Sequence, residues 1–244
     1  MSHLDHERIA CPGCGATKEH RIFRSLNGER VASQVERLLD GTFERVTCSG
    51  CGVRFRPEHR MLYAHYGLRA WVVMHPPEER HRFEDLEPAV EALFARNFAN
   101  APAVVSAGLR GVRPRLVFGQ HMLSEAVRVA ESSMDPALLE CAKLLVYRRS
   151  LGDLASHGAI ELCYEGRARS SERLQMGVHA LRSGTRMGAL EVASSLLDEV
   201  KHCRDELEGM YPALFSRSYV SATRYLFGCA VVATSETMDG EAAP

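Results

Sequence analysis

The fold of this chain is decided by two short stretches, Cys11-Pro12-Gly13-Cys14-Gly15 and Cys48-Ser49-Gly50-Cys51-Gly52. Each has the pattern C-x-x-C-G, which we call a knuckle, and two knuckles together supply four cysteine thiolates. Four thiolates fill the tetrahedral shell that Zn²⁺ takes in structural sites. We therefore predict one structural zinc ion, with these metal ligands: Cys11, Cys14, Cys48 and Cys51.

The residues around each cysteine pair suit this role. The glycine after the second cysteine permits a left-handed turn, so that nearby amides can point at the sulfurs. Pro12 fixes φ inside the first turn. A single C-x-x-C pair is also the spacing of a thioredoxin-like redox site. A redox dithiol and reduced or disulfide-paired cysteines therefore stay as alternatives, while two pairs that are both followed by glycine favour zinc.

The spacer between the knuckles is unusually long. Cys14 and Cys48 are separated by 33 residues, which exceeds the usual zinc-ribbon gap and requires an insertion. Residues 33–41 supply it, because Val35, Leu38 and Leu39 recur at helical spacing and Gly41 can cap a short helix. We predict strands on either side of the insertion and after the second knuckle, at residues 20–26, 43–47 and 53–56.

Composition excludes several classes of protein. The 244 residues are 45% apolar and 25% charged, as in ordinary globular proteins, and the net charge of −1 gives no overall attraction to nucleic acid or to an anionic membrane. Residues 1–10 lack the apolar core of a signal peptide, and the apolar run at 225–233 is too short to cross a bilayer. Outside the knuckles the cysteines are scattered, without a pairing logic, so a reducing cytoplasm is the expected location.

The segment after the second knuckle is predicted to complete a sheet. Residues 60–66 and 69–74 have the pattern of a hairpin that turns at Gly67, and the His75-Pro76-Pro77 stretch should end the sheet. Residues 78–87 are dense in charge, which indicates a solvated linker and a domain boundary.

The remainder of the chain has a mixed pattern. We expect an antiparallel strand pair at 159–164 and 173–179 and a helix whose first turn is capped at Asp135-Pro136. Further helices are predicted at residues 86–98, 122–132, 190–208 and 221–227, and an extended segment at 113–119. The fold class is therefore α+β. A zinc-ribbon-like β domain with a helical insertion (residues 1–80) packs on a larger α+β body (84–230), and a disordered tail follows (231–244).

This order of elements resembles the CpXC family, a group of bacterial and archaeal proteins named for its cysteine motif. The similarity rests on the two knuckles, on Leu38-Leu39-Asp40-Gly41 between them, on Met61-Leu62-Tyr63, and on Arg115-Leu116-Val117-Phe118-Gly119. It covers roughly residues 9–150. The second knuckle departs from the motif because Ser49 stands where proline is usual, which should not disturb ligation. The family has no assigned activity, so the resemblance implies a zinc-type fold and no reaction.

No other motif carries chemistry of comparable strength. The chain lacks a phosphate-binding glycine loop, a nucleophile elbow, a Rossmann fingerprint and an H-E-x-x-H helix. Among the histidines, His59, His65 and His75 follow the second knuckle, and we interpret them as surface or edge-strand residues rather than proton carriers or ligands. His3 and His6 are expected on a mobile end.

Two sets of residues that contain aromatic side chains admit a functional interpretation. Arg54, Arg56 and Arg60 alternate with Phe55 in the way of a nucleic-acid surface. However, residues 1–75 carry 11 basic and 8 acidic side chains, which is a thin excess for phosphate binding. The second group is expected to pack in the core rather than form a contact patch: Tyr63, Tyr66 and Trp71.

Three hypotheses about function follow. The leading one is a zinc-stabilised cytoplasmic protein-binding module without catalytic activity, because four thiolates leave the ion no open position. The second is a nucleic-acid-binding regulator that uses the basic residues of the ribbon. The third is an enzyme with a site in the C-terminal half, around Glu161, Tyr164 and His179.

Overall fold

The computed structural model describes residues 2–150, 160–168 and 172–227. Strands and helices are mixed along this chain, which confirms the predicted α+β class. The described strands are β1 (His3–Ala10), β2 (Thr17–Asn27), β3 (Val46–Thr47), β4 (Arg54–Phe55), β5 (Met61–His65), β6 (Ala70–His75), β7 (Arg115–Phe118), β8 (Ile160–Arg167), β9 (Arg173–Ala180) and β10 (Arg186–Ala193). The described helices are α1 (Ala32–Leu39), α2 (Phe83–Ala99), α3 (Ala103–Leu109), α4 (Gly119–Glu131), α5 (Pro136–Ser150), α6 (Ser195–His202), α7 (Arg204–Met210), α8 (Pro212–Ser216) and α9 (Thr223–Phe227).

The larger sheet has the strand order β1-β2-β5-β6-β7 in the described part of the chain. The β1–β2 and β5–β6 pairs are antiparallel, as expected for hairpins, whereas β2–β5 and β6–β7 are parallel. Parallel neighbours need a crossover connection. The first crossover carries α1 and the second knuckle, and the second carries α2 and α3. This sheet takes strands from both sides of the boundary predicted between residues 80 and 84, and the division into two domains itself stays a prediction.

The smaller sheet has the order β10-β9-β8 and is antiparallel throughout its described strands. The β8–β9 pair confirms the strand pair predicted from residues 159–164 and 173–179. The predicted helix over 190–208 was wrong at its start, because residues 190–193 belong to β10 and helix begins only at Ser195. Leu190 and Val192 are half-buried between exposed neighbours, and this period of two is that of a strand with one face covered.

Helix α4 lies between the sheets and connects their apolar cores. It packs against β6 of the larger sheet and β8 of the smaller one. Leu123 and Val127 on this helix are fully buried in the core of the larger sheet. Tyr63 and Trp71 are buried in the same core, where the Trp71 ring meets Phe94 edge-on at 5.1 Å between centroids. These two aromatic residues therefore pack in the core, as expected, while Tyr66 is half-buried.

The charged segment at residues 78–87 is not the solvated linker that its composition indicated. It forms a 3-10 helix (Pro77–Arg82) and the first turn of α2. Two of its charged side chains turn inward, because each has a partner of opposite charge. The partner of Arg80 is Glu161, and Glu87 is paired with Arg224 through two contacts of 2.8 and 3.0 Å.

Several local signals in the sequence are confirmed. The N–H of Ala137 donates to Asp135 Oδ1 at 2.9 Å, which is the predicted cap of α5. Gly41 has a φ of 75° just after α1, as its capping role requires. None of the described helices is both long and apolar enough to cross a lipid bilayer. The predicted disordered tail, residues 231–244, lies outside the described residues.

We expect Leu123→Ala to lower the free energy of unfolding by about 2–5 kcal/mol, since it leaves a cavity where the two cores meet. The matched control is Val104→Ala on α3, where the side chain is 80% exposed and the change should stay within about 0.5 kcal/mol. Urea denaturation followed through the fluorescence of the buried Trp71 measures both. Equal losses in the two variants would contradict the assigned role of α4.

Candidate metal centre

The four knuckle cysteines meet at one point. Their sulfur atoms all lie within 4.8 Å of one another, so the set could hold a metal ion. The Sγ atoms of Cys11 and Cys51 are 3.6 Å apart, and those of Cys14 and Cys48 are 3.7 Å apart. Each of these short separations joins one knuckle to the other. The predicted ligand set is therefore brought together by contacts between two segments that are distant in sequence.

The two knuckles have the same backbone turn. In the first, the N–H of Gly15 donates to the Cys11 carbonyl at 2.9 Å, and in the second the N–H of Gly52 donates to Cys48 at the same distance. Gly15 and Gly52 have φ values of 72° and 74°, which confirms the left-handed turn predicted for the glycine of C-x-x-C-G. A residue with a Cβ would be strained at these two positions.

Each knuckle sits at the end of a hairpin. The first connects β1 to β2, where the N–H of Cys11 donates to the carbonyl of Ala16 at 2.9 Å. The second connects the short strands β3 and β4, where the N–H of Cys48 donates to the carbonyl of Val53 at 2.9 Å. These strands fix the direction of both turns, so the sulfurs face each other across the gap.

Backbone amides prepare the sulfurs for a cation. The N–H of Gly13 lies 3.4 Å from Cys11 Sγ, and the N–H of Gly50 lies 3.4 Å from Cys48 Sγ. Hydrogen bonds from the backbone of Cys51 and Gly50 lower the pKa of the Cys48 thiol to about 6. Cys11 is buried whereas Cys14 and Cys51 are exposed, so the cluster lies at the surface.

The histidines that follow the second knuckle lie outside this cluster. The prediction of surface or edge-strand positions was wrong for two of them. His59 and His75 are buried because each ring has a carboxylate partner. His59 Nε2 lies 2.6 Å from Glu44 Oε2, and His75 Nδ1 lies 2.7 Å from Glu79 Oε2. His65 is half-buried and accepts a hydrogen bond from the backbone N–H of Leu68. The prediction of a mobile end was also wrong, because His3 and His6 belong to β1.

The basic residues after the second knuckle form a mixed surface. Arg54 and Arg60 are exposed, whereas Arg56 and Phe55 are half-buried. The predicted alternation is present, but half of the group packs against the protein.

A second polar cluster lies deep between the two sheets. The Glu161 carboxylate accepts two hydrogen bonds from the Arg80 guanidinium, at 2.9 and 2.6 Å, and its Oε2 atom lies 3.0 Å from His121 Nε2. The His121 ring stacks on His179 with 4.8 Å between centroids. Of the three residues in the enzyme hypothesis, Glu161 and His179 therefore share one cluster. Tyr164 belongs to the apolar core of the smaller sheet.

Electrostatics favour an ion-pair network at this second cluster. Burial alone would raise the pKa of Glu161, but the charge of Arg80 and the hydrogen bond from His121 hold it well below its ordinary range. Glu161, His121 and Cys163 lie close enough to hold a metal ion. However, both Glu161 oxygens are already bound by Arg80, and burial raises the pKa of the Cys163 thiol well above its ordinary value. The arrangement suits charge pairing better than ligation.

Sequence reasoning missed Arg80 and His121. His121 lies in the first turns of α4 and carries no motif, and Arg80 lies in a stretch whose charge density indicates solvent. Cys141 and Cys163 are buried, as expected for core cysteines, and burial raises the pKa of Cys141 to about 12.

We expect Glu161→Gln to lower the free energy of unfolding at neutral pH by about 3–5 kcal/mol, because it leaves the Arg80 charge buried without an anion. Glu165→Gln is the matched control on the same strand. The carboxylate of Glu165 is partly exposed and pairs with Arg186 at the surface, so the loss should be below about 1 kcal/mol.

Acid should reduce the difference between wild type and Glu161→Gln. The pKa of Glu161 is lower in the folded state than its value of about 4.3 in the unfolded chain. Its stabilisation is therefore present above that pH and is lost as the pH falls below it. Urea unfolding of both proteins across this range measures the effect. A difference that stays constant down to strongly acidic pH would contradict an ionised Glu161.

Comparison with known proteins identifies the family. A search of curated proteins and a search of solved structures each found no match. The sequence model of the CpXC protein family matches residues 9–143, which is more than half of the chain and contains both knuckles. The matched region begins at the end of β1 and ends within α5, so it includes strands β2 to β7 and α4. This protein belongs to the CpXC family.

Proposed function

We propose that this protein is a zinc-stabilised protein-binding module that takes an extended segment of its partner along strand β1. The observation that carries the proposal is the position of the cysteine cluster at the tip of a hairpin whose outer edge is unpaired in the described chain. The metal would hold the hairpin rigid, and the edge would supply the backbone groups that bind the partner.

Zinc is the ion that this set of ligands suits. Thiolates arranged as a tetrahedron around Zn²⁺ at about 2.3 Å would stand about 3.8 Å from one another. The separations between the knuckles, 3.6 and 3.7 Å, are close to that value. Cys11, Cys14, Cys48 and Cys51 would hold the ion and give the hairpins a ribbon-like arrangement. A reducing cytoplasm would keep these thiols available.

A structural role for the metal is favoured over a catalytic one. Four thiolates complete the coordination shell of zinc, whereas a catalytic zinc keeps one position for water or substrate. We therefore propose that the ion supplies rigidity, and that activity at the metal is not part of the function.

Strand β1 has the features of a binding edge. It pairs with β2 on one side, and none of the other described strands pairs with it. Because the N–H of Cys11 faces β2, alternation points the amides of Ile9 and Glu7 toward β2 and those of Arg8 and His6 outward. The N–H of His6 donates instead to the side chain of Asp5 at 2.8 Å, which agrees with an outward direction.

Charge on β1 favours a partner of a different sequence over a second copy. Arg24 of β2 binds both Asp5 and Glu7, at 3.4 and 2.7 Å, and β1 itself carries acidic and basic side chains. Charged side chains on an edge strand restrain unspecific pairing between identical chains. The proposed partner is therefore an extended protein segment with charges complementary to β1.

Metal content gives the first test. Purified wild-type protein should contain about one zinc ion per chain by elemental analysis. Cys14→Ser should lose the ion and become sensitive to proteolysis in residues 1–60, because the hairpins bury little apolar surface without it. Cys203→Ser removes an exposed cysteine outside the cluster and should keep both properties. Metal-free wild-type protein with intact protease resistance would contradict the proposal.

Partner binding gives the second test. Arg8→Pro removes one outward amide without removing a bond to β2, whereas Arg8→Ala removes the same charged side chain and keeps the amide. The immobilised full chain should recover a stoichiometric protein partner from native extract. Arg8→Pro should lose it and Arg8→Ala should retain at least part of it, as measured by quantitative mass spectrometry.

Two other outcomes would decide against this mode of binding. Equal recovery by both variants would place the partner elsewhere than the β1 edge. Recovery of nucleic acid instead, with loss on Arg54→Ala and Arg60→Ala and steep weakening by salt, would support the alternative of a nucleic-acid-binding regulator.

A further inference from the structure

A cavity of about 500 Å³ lies in the body of the protein, away from the cysteine cluster. It is bounded by the turn between β5 and β6, the segment that leads into β7, the connection from α4 to α5, and residues 204–220. A volume of this size is typical of sites for small organic ligands. None of the four knuckle cysteines and no residue of β1 lines it.

The charge of the lining is strongly positive. Five arginines contribute to it, whereas the described lining residues include a single carboxylate, Asp135. The protein as a whole has a formal charge of −1, so positive charge is concentrated here. The arginines are Arg69, Arg113, Arg115, Arg204 and Arg217.

The single carboxylate already forms an ion pair with one of the arginines. Asp135 Oδ2 lies 2.7 Å from Arg204 Nη1. Arg69 donates to the Arg110 carbonyl at 2.5 Å, and Arg113 donates to the Phe215 carbonyl. A carbonyl oxygen satisfies a hydrogen-bond donor but carries no charge that would balance a guanidinium. Among the described residues, Arg69 and Arg113 therefore have no carboxylate within salt-bridge distance.

Among the five arginines, Arg115 differs most from the others in the environment of its side chain. Its Nε atom is buried and has no hydrogen-bond partner among the described residues, and its Nη2 atom reaches only the Val220 carbonyl, at 3.4 Å. Burial lowers the pKa of Arg115, although Glu140, Glu125 and Asp135 act in the opposite direction, whereas the pKa of Arg80 is raised by a carboxylate in direct contact. An unsatisfied donor at the wall of an open cavity is available to a group that enters the cavity.

The remaining walls are apolar. The cavity is lined by aromatic and aliphatic side chains from β6, α4 and α8, which include Trp71, Val129, Leu214 and Phe215. Guanidinium groups bind carboxylate and phosphate in a bidentate manner. The cavity thus combines a cationic end for an anionic head group with an apolar space for the rest of a ligand.

We propose that this cavity binds a small organic anion, with a carboxylate or phosphate head held by Arg115 and an apolar body that lies against Trp71. The site is independent of the metal and of the β1 edge, and it adds a small-molecule ligand to the proposed protein partner. Arg217, which is exposed at the rim and has no side-chain partner among the described residues, completes the anion site.

Trp71 provides a direct signal for a binding experiment, since it is the only tryptophan of the chain. Octanoate and octyl phosphate are the probes, and each is titrated into the full-length protein while tryptophan fluorescence and heat are recorded. Saturable binding of one or both is expected, and the probe that binds more tightly identifies the head group. Octylammonium has the same apolar body with a cationic head and should not bind.

Matched variants assign the binding to the arginines. Arg115→Met should weaken the affinity by about tenfold or more, since it removes a charge-assisted hydrogen bond. Its melting temperature is recorded beside the affinity, because the buried Arg115 charge also interacts with Glu140, Glu125 and Asp135. Arg217→Met, at the exposed rim, should weaken binding without any effect on folding. Arg96→Met removes an exposed arginine outside the cavity and should change neither property.

Three results would overturn the proposal. The first is the absence of saturable binding of both anions at millimolar concentration. The second is binding of octylammonium as tight as that of the anions, which would indicate apolar adsorption. The third is an affinity that is the same in wild type and Arg217→Met, together with an Arg115→Met variant that either binds normally or is strongly destabilised, because Arg115 would then be a structural residue.

Discussion

The buried carboxylate of Glu161 needs a balancing charge, and the arrangement of the two sheets depends on how Arg80 supplies it. The two side chains are 81 positions apart in sequence, and they join the 3-10 helix after β6 to strand β8 of the smaller sheet. The hydrophobic effect is non-directional, whereas a bidentate ion pair fixes both distance and direction. Glu87 and Arg224 repeat this arrangement between α2 and α9. These two ion pairs thus fix the relative positions of the elements that carry the apolar cores.

The cysteine hairpins cannot depend on apolar packing in the same way. Most residues of β1 are exposed, so this strand contributes little to either apolar core. Such a segment needs a short-range constraint, and four thiolates around a cation would provide one. The molecule accordingly separates two tasks. Its surface hairpin leaves the outer edge of β1 unpaired in the described chain, while its body contains a cavity that five arginines and one carboxylate line.

Local patterns were sufficient to predict part of this structure from the sequence. The cysteine cluster follows from spacing, the left-handed turns from Gly15 and Gly52, and the start of α5 from Asp135. Strand β1 was not predicted, because charged residues occupy both of its faces and hide the usual alternation. Arg80 and His121 were not predicted either, since their shared partner, Glu161, is distant in sequence and no local pattern encodes it. The cavity was not predicted, because Arg113 and Arg115 do not stand out in a chain with so many arginines.

The parallel pairing of β6 with β7 has a consequence for the growing chain. Strand β6, Ala70–His75, is almost wholly apolar and is buried in the finished molecule. Its neighbour β7 lies far downstream, beyond α2 and α3, so one edge of β6 remains open on the ribosome until residue 118 has emerged. Open apolar edges of this kind are sites of misassociation between nascent chains. Misassociation of nascent chains through β6 is therefore favoured in the interval of translation between these two strands.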